Sequence, residues 1–274
     1  MKKLILTLTL CCVFQMIWAQ RSLQIGGEVV FENEDVIFHK IDDHTWIGSG
    51  HVMSNESIYL LEGSEKAMLI DAGTTIKDLD EVVAKITDKP VSLYATHAHP
   101  DHVGSAEYFS EINLNKGEAE NMERMLANYK GKVNYLEDGQ IIDLGDREIE
   151  VVFTPAHTPG STTYLDKRAG YGFSGDSFGS GNLLLFTGTF SDLIATCKKM
   201  GVAMDEKGIK FLYPGHFNGT NPETRQRIKD MITLSQDVLS GKVKGEENTG
   251  NRFGFTHLVH DYGVRINYSE KALK

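Results

Sequence analysis

Thr96-His97-Ala98-His99-Pro100-Asp101-His102-Val103-Gly104 places three histidines and an aspartate within six positions. Residues 91–95 just before it read as a short buried strand, and residues 104–109 just after it as the start of a helix. A turn at the C-terminal end of a strand aims several side chains into one crevice. Histidine and aspartate are the usual ligands of a borderline divalent metal. Four groups on so short a loop cannot all reach one ion. The spacing therefore asks for two metals, or for one metal with an outer ring of supporting groups. The plain alternative is a solvent-exposed, histidine-rich turn.

Further along, three more apolar strands end in a polar residue flanked by Gly or Pro. Residues 147–153 alternate in hydropathy and lead to His157. The strands at 162–165 and 171–173 lead to Asp176. A strand over 209–213 leads to His216 in Pro214-Gly215-His216. If the four ends converge, they bring together five histidines and two aspartates, a complement suited to two divalent cations. Taken singly, His157 or His216 reads equally well as an ordinary loop residue.

Upstream, the apolar runs at 36–38, 45–47, 57–62 and 66–70 are separated by Asp-, Gly- and Ser-rich turns and predict an antiparallel meander. Helices are expected over 76–87, 118–129, 187–200 and 222–239, with short strands at 112–115 and in 130–145. A loop is expected over 241–252 and a last strand over 262–268. Meanders that later alternate with helices, in both halves of the chain, point to an α+β fold with two sheets face to face and helices outside. No repeat or linker divides the chain, so residues 20–274 read as one domain.

The 274 residues are 41% hydrophobic and 24% charged, an ordinary globular balance, with a net charge of −10. No basic cluster stands out, which argues against a nucleic-acid partner. Lys2-Lys3, the apolar stretch 4–18 and the small residue Ala19 read as a signal peptide spanning 1–19, too short for a comfortable membrane span. Its removal would leave 26 basic against 38 acidic residues, a net of −12, in an exported, periplasmic or secreted protein. A lipid anchor at Cys11 or Cys12 is disfavoured because Leu10 is not small. Cys197 alone would remain, placed on an apolar helical pattern as core packing, with no internal disulfide.

The order H-x-H-x-D-H, then H, D and H, together with residues 57–63, 69–73 and 214–216, resembles the metallo-β-lactamase superfamily over most of the mature chain. That resemblance implies an αββα sandwich of two mixed sheets with the site at one edge. It implies a first metal on His97, His99 and His157 and a second on Asp101, His102 and His216, with Asp176 bridging them. Asp71 would be the buried aspartate that steadies the histidine loop. Two divalent ions follow, zinc first, with iron or manganese as alternatives. The implied chemistry is hydroxide attack on a carbonyl or phosphoryl centre, with Asp101 also serving as proton acceptor. The true β-lactamases lack the bridging aspartate, so Asp176 draws this chain toward the glyoxalase II and lactonase branches, although no glutathione-binding pattern follows His216.

The expected activity is hydrolysis of a small ester, thioester, lactone or amide. The competing readings are a β-lactamase, a mononuclear iron dioxygenase on the same ligands, and a non-catalytic binding protein on the same scaffold. The oligomeric state is open. His51, in Gly48-Ser49-Gly50-His51-Val52, falls where the family places a loop over the substrate, and Trp46 is a wall residue or, more simply, core. His39, His44, His257 and His260 read as surface residues. Arg225 and Arg227 are the cations that could line the site.

Overall fold

Side chains that alternate between two buried layers build the centre of the molecule. In the computed structural model, Ile58 and Leu60 of the strand Ser57–Glu62 join one apolar cluster, while Tyr59 and Leu61 join another. The strand Ala67–Ile70 splits likewise, with Ala67 and Leu69 on one side and Met68 and Ile70 on the other. A strand apolar on both faces needs cover on both. The structure describes residues 25–51, 55–248, 250–251 and 253–274. The expected leader, with Cys11 and Cys12, lies outside them. Among the described residues no helix is long and apolar enough to cross a membrane.

The first sheet holds eight strands in chain order. They are β1 (Val29–Glu32), β2 (Val36–Asp42), β3 (Thr45–Gly50), β4 (Ser57–Glu62), β5 (Ala67–Ile70), β6 (Val91–Tyr94), β7 (Glu111–Asn115) and β8 (Lys132–Leu136). β1 to β5 pair antiparallel, as the hairpin turns require, and β5 to β8 pair parallel. The second sheet contains β9 (Ile141–Asp143), β10 (Glu148–Phe153), β11 (Thr162–Asp166), β12 (Tyr171–Gly175), β14 (Phe211–Pro214) and β15 (Glu223–Thr224). Its β9–β12 part is a meander, and β14 adds parallel to β12. The helices are α1 (Leu79–Val83), α2 (Pro100–Val103), α3 (Ala119–Met125), α4 (Phe190–Lys207) and α5 (Arg225–Leu239).

Three apolar clusters lie between four layers. One packs the first sheet against α1 and α3, one fills the space between the sheets, and one packs the second sheet against α4 and α5. That is the expected αββα sandwich. It carries an addition absent from the sequence reading: a small third sheet of β13 (Leu183–Leu184), β18 (Val264–Tyr268), β17 (His257–Asp261) and β16 (Glu246–Glu247). Val259, Val264, Ile266 and Tyr268 of this sheet join the α4–α5 cluster.

Some boundaries differ from expectation. The helix expected over 76–87 shrinks to α1, because Ile76 N–H is held by Ser105 Oγ, Lys77 N–H by Asp35, and Asp78 takes a left-handed φ of 50°. Ile76 and Ile86 still pack in the cluster, so the apolar periodicity was real while the helical backbone was not. Gly104 begins no long helix. A Cβ there would lie 1.8 Å from the Thr74 carbonyl oxygen, so the chain passes too close for any side chain. α4 runs well past the expected stop at 200, through Gly201, whose bare Cα makes room for the Arg225 guanidinium. The helix opens with a Thr189–Asp192 capping box and ends at Gly208 in the left-handed region. Cys197 is buried beside Met231 Sδ, and burial pushes its thiol well up.

Away from the site, buried Arg147 crosses between the sheets. Its Nε donates to Asp166 at 2.6 Å, its Nη1 to the carbonyls of His44 and Glu62, and its Nη2 to Thr45 Oγ1. Arg147→Met should lower the unfolding free energy by about 3–5 kcal/mol, because Asp166 is left buried without its cation. Urea titration checks this. A loss under about 1 kcal/mol, the size of an exposed pair, would mean that this bridge does not tie the sheets.

Candidate metal centre

The loop after β6 is held by the strand before it. Asp71, at the end of β5, has a φ of 64°, which for a non-glycine residue needs support. Its N–H donates to Tyr94 O. Its carboxylate accepts from Thr96 N–H at 2.7 Å, from Thr96 Oγ1 at 2.8 Å and from His102 Nδ1 at 2.8 Å. Asp71 therefore stands where expected, behind the histidines. The second sheet reaches the same loop, since Thr162 N–H and Tyr164 Oη donate to the carbonyls of Thr96 and Ala95.

All seven residues expected from the sequence converge. His97, His99 and His157 form one cluster of potential ligand atoms, and Asp101, His102 and His216 another. A third, of His97, His102 and Asp176, overlaps both, and within each cluster the atoms lie within 4.8 Å of one another. Asp176 sits between the groups, 3.4 Å from His216 Nε2, 3.7 Å from His102 Nε2 and 3.8 Å from His157 Nε2. His216 Nε2 is 3.5 Å from Asp101. Gly215 makes this approach possible: a Cβ there would come within 2.4 Å of Asp176 Oδ1 and 2.7 Å of the His102 ring.

Hydrogen bonds behind the rings set which nitrogens face inward. His157 Nδ1 donates to Leu184 O, an atom that only accepts, so its Nε2 presents a lone pair. His102 Nδ1 donates to the Asp71 carboxylate. Thr96 Oγ1 spends its proton on Asp71, so it accepts from His97 Nδ1. The Nε2 atoms of His97 and His157 then lie 3.0 and 3.1 Å from His99 Nδ1. His102 Nε2 and Asp176 Oδ1 are buried with no hydrogen-bond partner. Lone pairs converging in a buried site, beside orphaned donor atoms, fit cations.

The electrostatics agree. Burial and the neighbouring imidazoles push His97 well down, and burial with His157 and His102 takes His99 to about 3, so both stay neutral and ligand-competent. Burial also lowers His157. At His102 burial opposes charge, but Asp71, Asp101 and Asp176 outweigh it and raise the group well up. The same carboxylates that favour a proton there favour a cation. Burial alone would raise Asp176, yet His216 and His102 hold it well down.

The site opens into a cavity of about 650 Å³, lined by the polar His99, Asp101, His157, Asp176 and His216 and by the apolar Met125, Leu184, Phe186 and Phe253. His51 is exposed at the end of β3, where its N–H donates to Asp35 O, and does not line this cavity; residues 52–54 lie outside the described residues. Trp46 is core. His39 and His257 are half-buried on strands rather than on the surface, while His44 and His260 are exposed. Arg225 and Arg227 are not at the site: Arg225 pairs with Asp205 and Arg227 with Glu223.

One residue escaped the sequence reading. Glu118, fully buried, joins two ligand loops. Its Oε2 accepts from Ala98 N–H, between His97 and His99, and from Asn121. Its Oε1 accepts from Thr158 Oγ1 and Gly160 N–H, beyond His157. In sequence it is an unremarked acid among exposed charges, and no spacing marks it.

A family model described as Metallo-beta-lactamase superfamily matches residues 53–240. The acyl-coenzyme A thioesterase MBLAC2 of Homo sapiens is 29% identical over 213 residues, 63% of this chain and 76% of that protein. The hydroxyacylglutathione hydrolase of Maricaulis maris is 31% identical over 186 residues, 66% of this chain and 67% of that one. Among solved structures, a metallo-beta-lactamase from Erythrobacter litoralis superposes with a TM-score of 0.60 at 16% identity, covering 77% of this chain and all of that one. A metallo-beta-lactamase from Pontibacter korlensis gives 0.58 at 18% identity, covering 74% and 99%. At these identities the two structures speak for the fold.

Glu118→Ala strands three buried donors and unties the loops. Apparent metal affinity, measured by chelator competition, should fall about 10–100-fold, with Glu118→Gln falling less because its amide oxygen still accepts. Equal losses in the two variants would show that both carboxylate oxygens, rather than the side chain's bulk, are what Glu118 supplies.

Proposed function

This chain belongs to the metallo-beta-lactamase superfamily, and from that premise we propose that it is a thioester hydrolase working with two divalent cations, zinc first. It is a metal-dependent hydrolase acting on small molecules, as its hydrolase relatives are. The observation that carries the finer reading is the overlap of three ligand clusters around Asp176. His97, His99 and His157 would hold one cation, Asp101, His102 and His216 the other, and Asp176 would be shared. The thioester preference rests on two relatives of different kinds, an acyl-coenzyme A thioesterase and a hydroxyacylglutathione hydrolase, both named for thioester cleavage.

When bound, the cations supply Lewis-acid polarisation of a carbonyl and acidify water. The chain supplies the rest. Asp71, Thr96 and Leu184 O fix the imidazole tautomers, so no reorientation is needed when charge develops. Asp101, partly open to the cavity, is placed to accept a proton on its carboxylate and pass it to the leaving thiolate. Phe186 and Phe253 give the cavity an apolar wall. No Ser or Cys nucleophile is required, and Cys197 is buried in the core away from the cavity.

Elemental analysis of gently purified protein should approach two metal equivalents. Asp176→Ala should bring this toward one and cut kcat by about a hundredfold or more while the fold persists, as expected for losing several kcal/mol of transition-state stabilisation. Full turnover in a folded Asp176→Ala protein would remove Asp176 from the shared position, and one iron equivalent in active wild type would favour the dioxygenase reading.

A second expectation concerns leaving groups. A thiolate leaves readily, whereas a lactam nitrogen needs a proton or a metal to stabilise it. A carboxylate shared between both cations neutralises the charge that would do so. On one preparation, kcat/KM for a small thioester should exceed that for a penicillin or a carbapenem. Lactam values tenfold higher, about 1.4 kcal/mol in the barrier, would reverse the assignment.

A further inference from the structure

Phe186 stands edge-on to the rings of His99 and His157, at 5.1 and 5.3 Å between centroids. It continues outward to Phe253 at 5.8 Å and Phe255 at 4.9 Å. The ladder therefore begins at the imidazole cluster and leads away from it. Met125 and Leu184 line the same cavity. Two of these apolar groups are exposed, Phe253 by 46% and Met125 by 37%, and an exposed apolar surface inside a cleft calls for an occupant.

The segment that carries Phe253 is built to present it. Asn251 Oδ1 accepts from Phe253 N–H and Phe255 N–H, and Asn251 Nδ2 donates to Asn248 O and Phe255 O. Gly254, with φ of 77°, turns the chain between the two rings. The third sheet fixes both flanks, through Asn248 N–H to Thr256 O and Thr256 N–H to Tyr268 O. Among the described residues that line the cavity there is no Lys or Arg. The polar turn Gly179-Ser180 and Asn182 lie elsewhere around the same cavity.

We infer that the wall of Phe186 and Phe253, backed by buried Phe255 and flanked by Met125, is the acyl subsite, and that the acyl group it takes is an uncharged hydrocarbon chain. The inference rests on the thioesterase reading for its reaction, but the subsite itself is a binding surface that stands apart from it. The carbonyl lies at the imidazole end and the chain runs outward along the rings. A chain ending in a carboxylate would lose its hydration against these apolar side chains.

The test has two arms, both on the metal-loaded full-length protein. In the first, kcat/KM is measured for acetyl through decanoyl thioesters of one small uncharged thiol, and for a chain of intermediate length ending in a carboxylate. The expected rise is about fourfold per methylene, the equivalent of about 0.8 kcal/mol, until the ladder ends. The charged chain should fall at least tenfold below its uncharged counterpart. Phe253→Ala, at an exposed position, should cut the decanoyl-to-acetyl ratio tenfold or more, and Met125→Ala should lower it by less. In the second arm, calorimetry follows binding of acetate through decanoate to wild type and Phe253→Ala. Wild-type affinity should rise with chain length, and the variant should lose most of that slope. A flat wild-type profile, or a slope that Phe253→Ala leaves unchanged, overturns the subsite even if thioesters are hydrolysed. Chain-dependent binding that Phe253→Ala abolishes, with no thioester turned over, upholds the subsite and overturns the thioesterase reading instead.

Discussion

The Asp71 carboxylate is the constraint from which the site is assembled. It is buried, it ends the middle strand of the first sheet, and three donors converge on it from Thr96 and His102. Its geometry decides how the loop leaves β6, which nitrogen of His102 faces the cavity and, through Thr96 Oγ1, which nitrogen of His97 does. A loop carrying three histidines and an aspartate in six positions has little intrinsic preference for one conformation. The strained backbone at Asp71 persists because the sheet, the loop and the carboxylate bonds jointly over-determine it.

Around that anchor the same solution recurs. Each ligand-bearing loop is tied to a neighbour by a buried polar group: Glu118 links the loops of His97 and His157, and Ser57 links β4 to the turn of Gly215 and His216 through its N–H and its hydroxyl. Asn221 bonds both His216 O and Ser180 O. Bringing like dipoles and lone pairs together is unfavourable by itself, and these ties hold the donors in place before any ion is bound. At the other edge of the sandwich Arg147 performs a comparable task without any ligand role, joining β3, β4 and β11 through one guanidinium.

The seven converging residues and the layers were legible because both are written in short-range patterns. The strand-end histidines and aspartates follow apolar runs, and the continuous apolar character of β4 and β5 and the alternation in β10 show which faces are covered. What stayed hidden depends on partners distant in sequence. Glu118 looks like any helix-flanking acid until residues 98, 158 and 160 surround it. The residues 76–87 carry a helical apolar period, yet Ser105 and Asp35 claim their backbone before a full helix forms. Gly201 reads as a stop until Arg225 is seen lying against it. The third sheet was missed because two of its strands have only two residues each and a third, β17, mixes His and Asp into its apolar pattern. Only the turn built by Asn251 reveals that Phe186 has companions.

The order of the strands also bears on how the centre comes into being. β1 to β5 and β9 to β12 close through adjacent hairpins, which form quickly because little chain entropy is lost in each closure. β14 is different: it pairs parallel with β12 only after α4 has been threaded between them, so that Tyr171 finds Phe211 across a long excursion. His216 follows that strand. β6, which leads to His97 and His99, likewise pairs parallel with β5 across α1, and only His157 follows the hairpin meander. The two ends of the cluster therefore both depend on pairings that no hairpin closes.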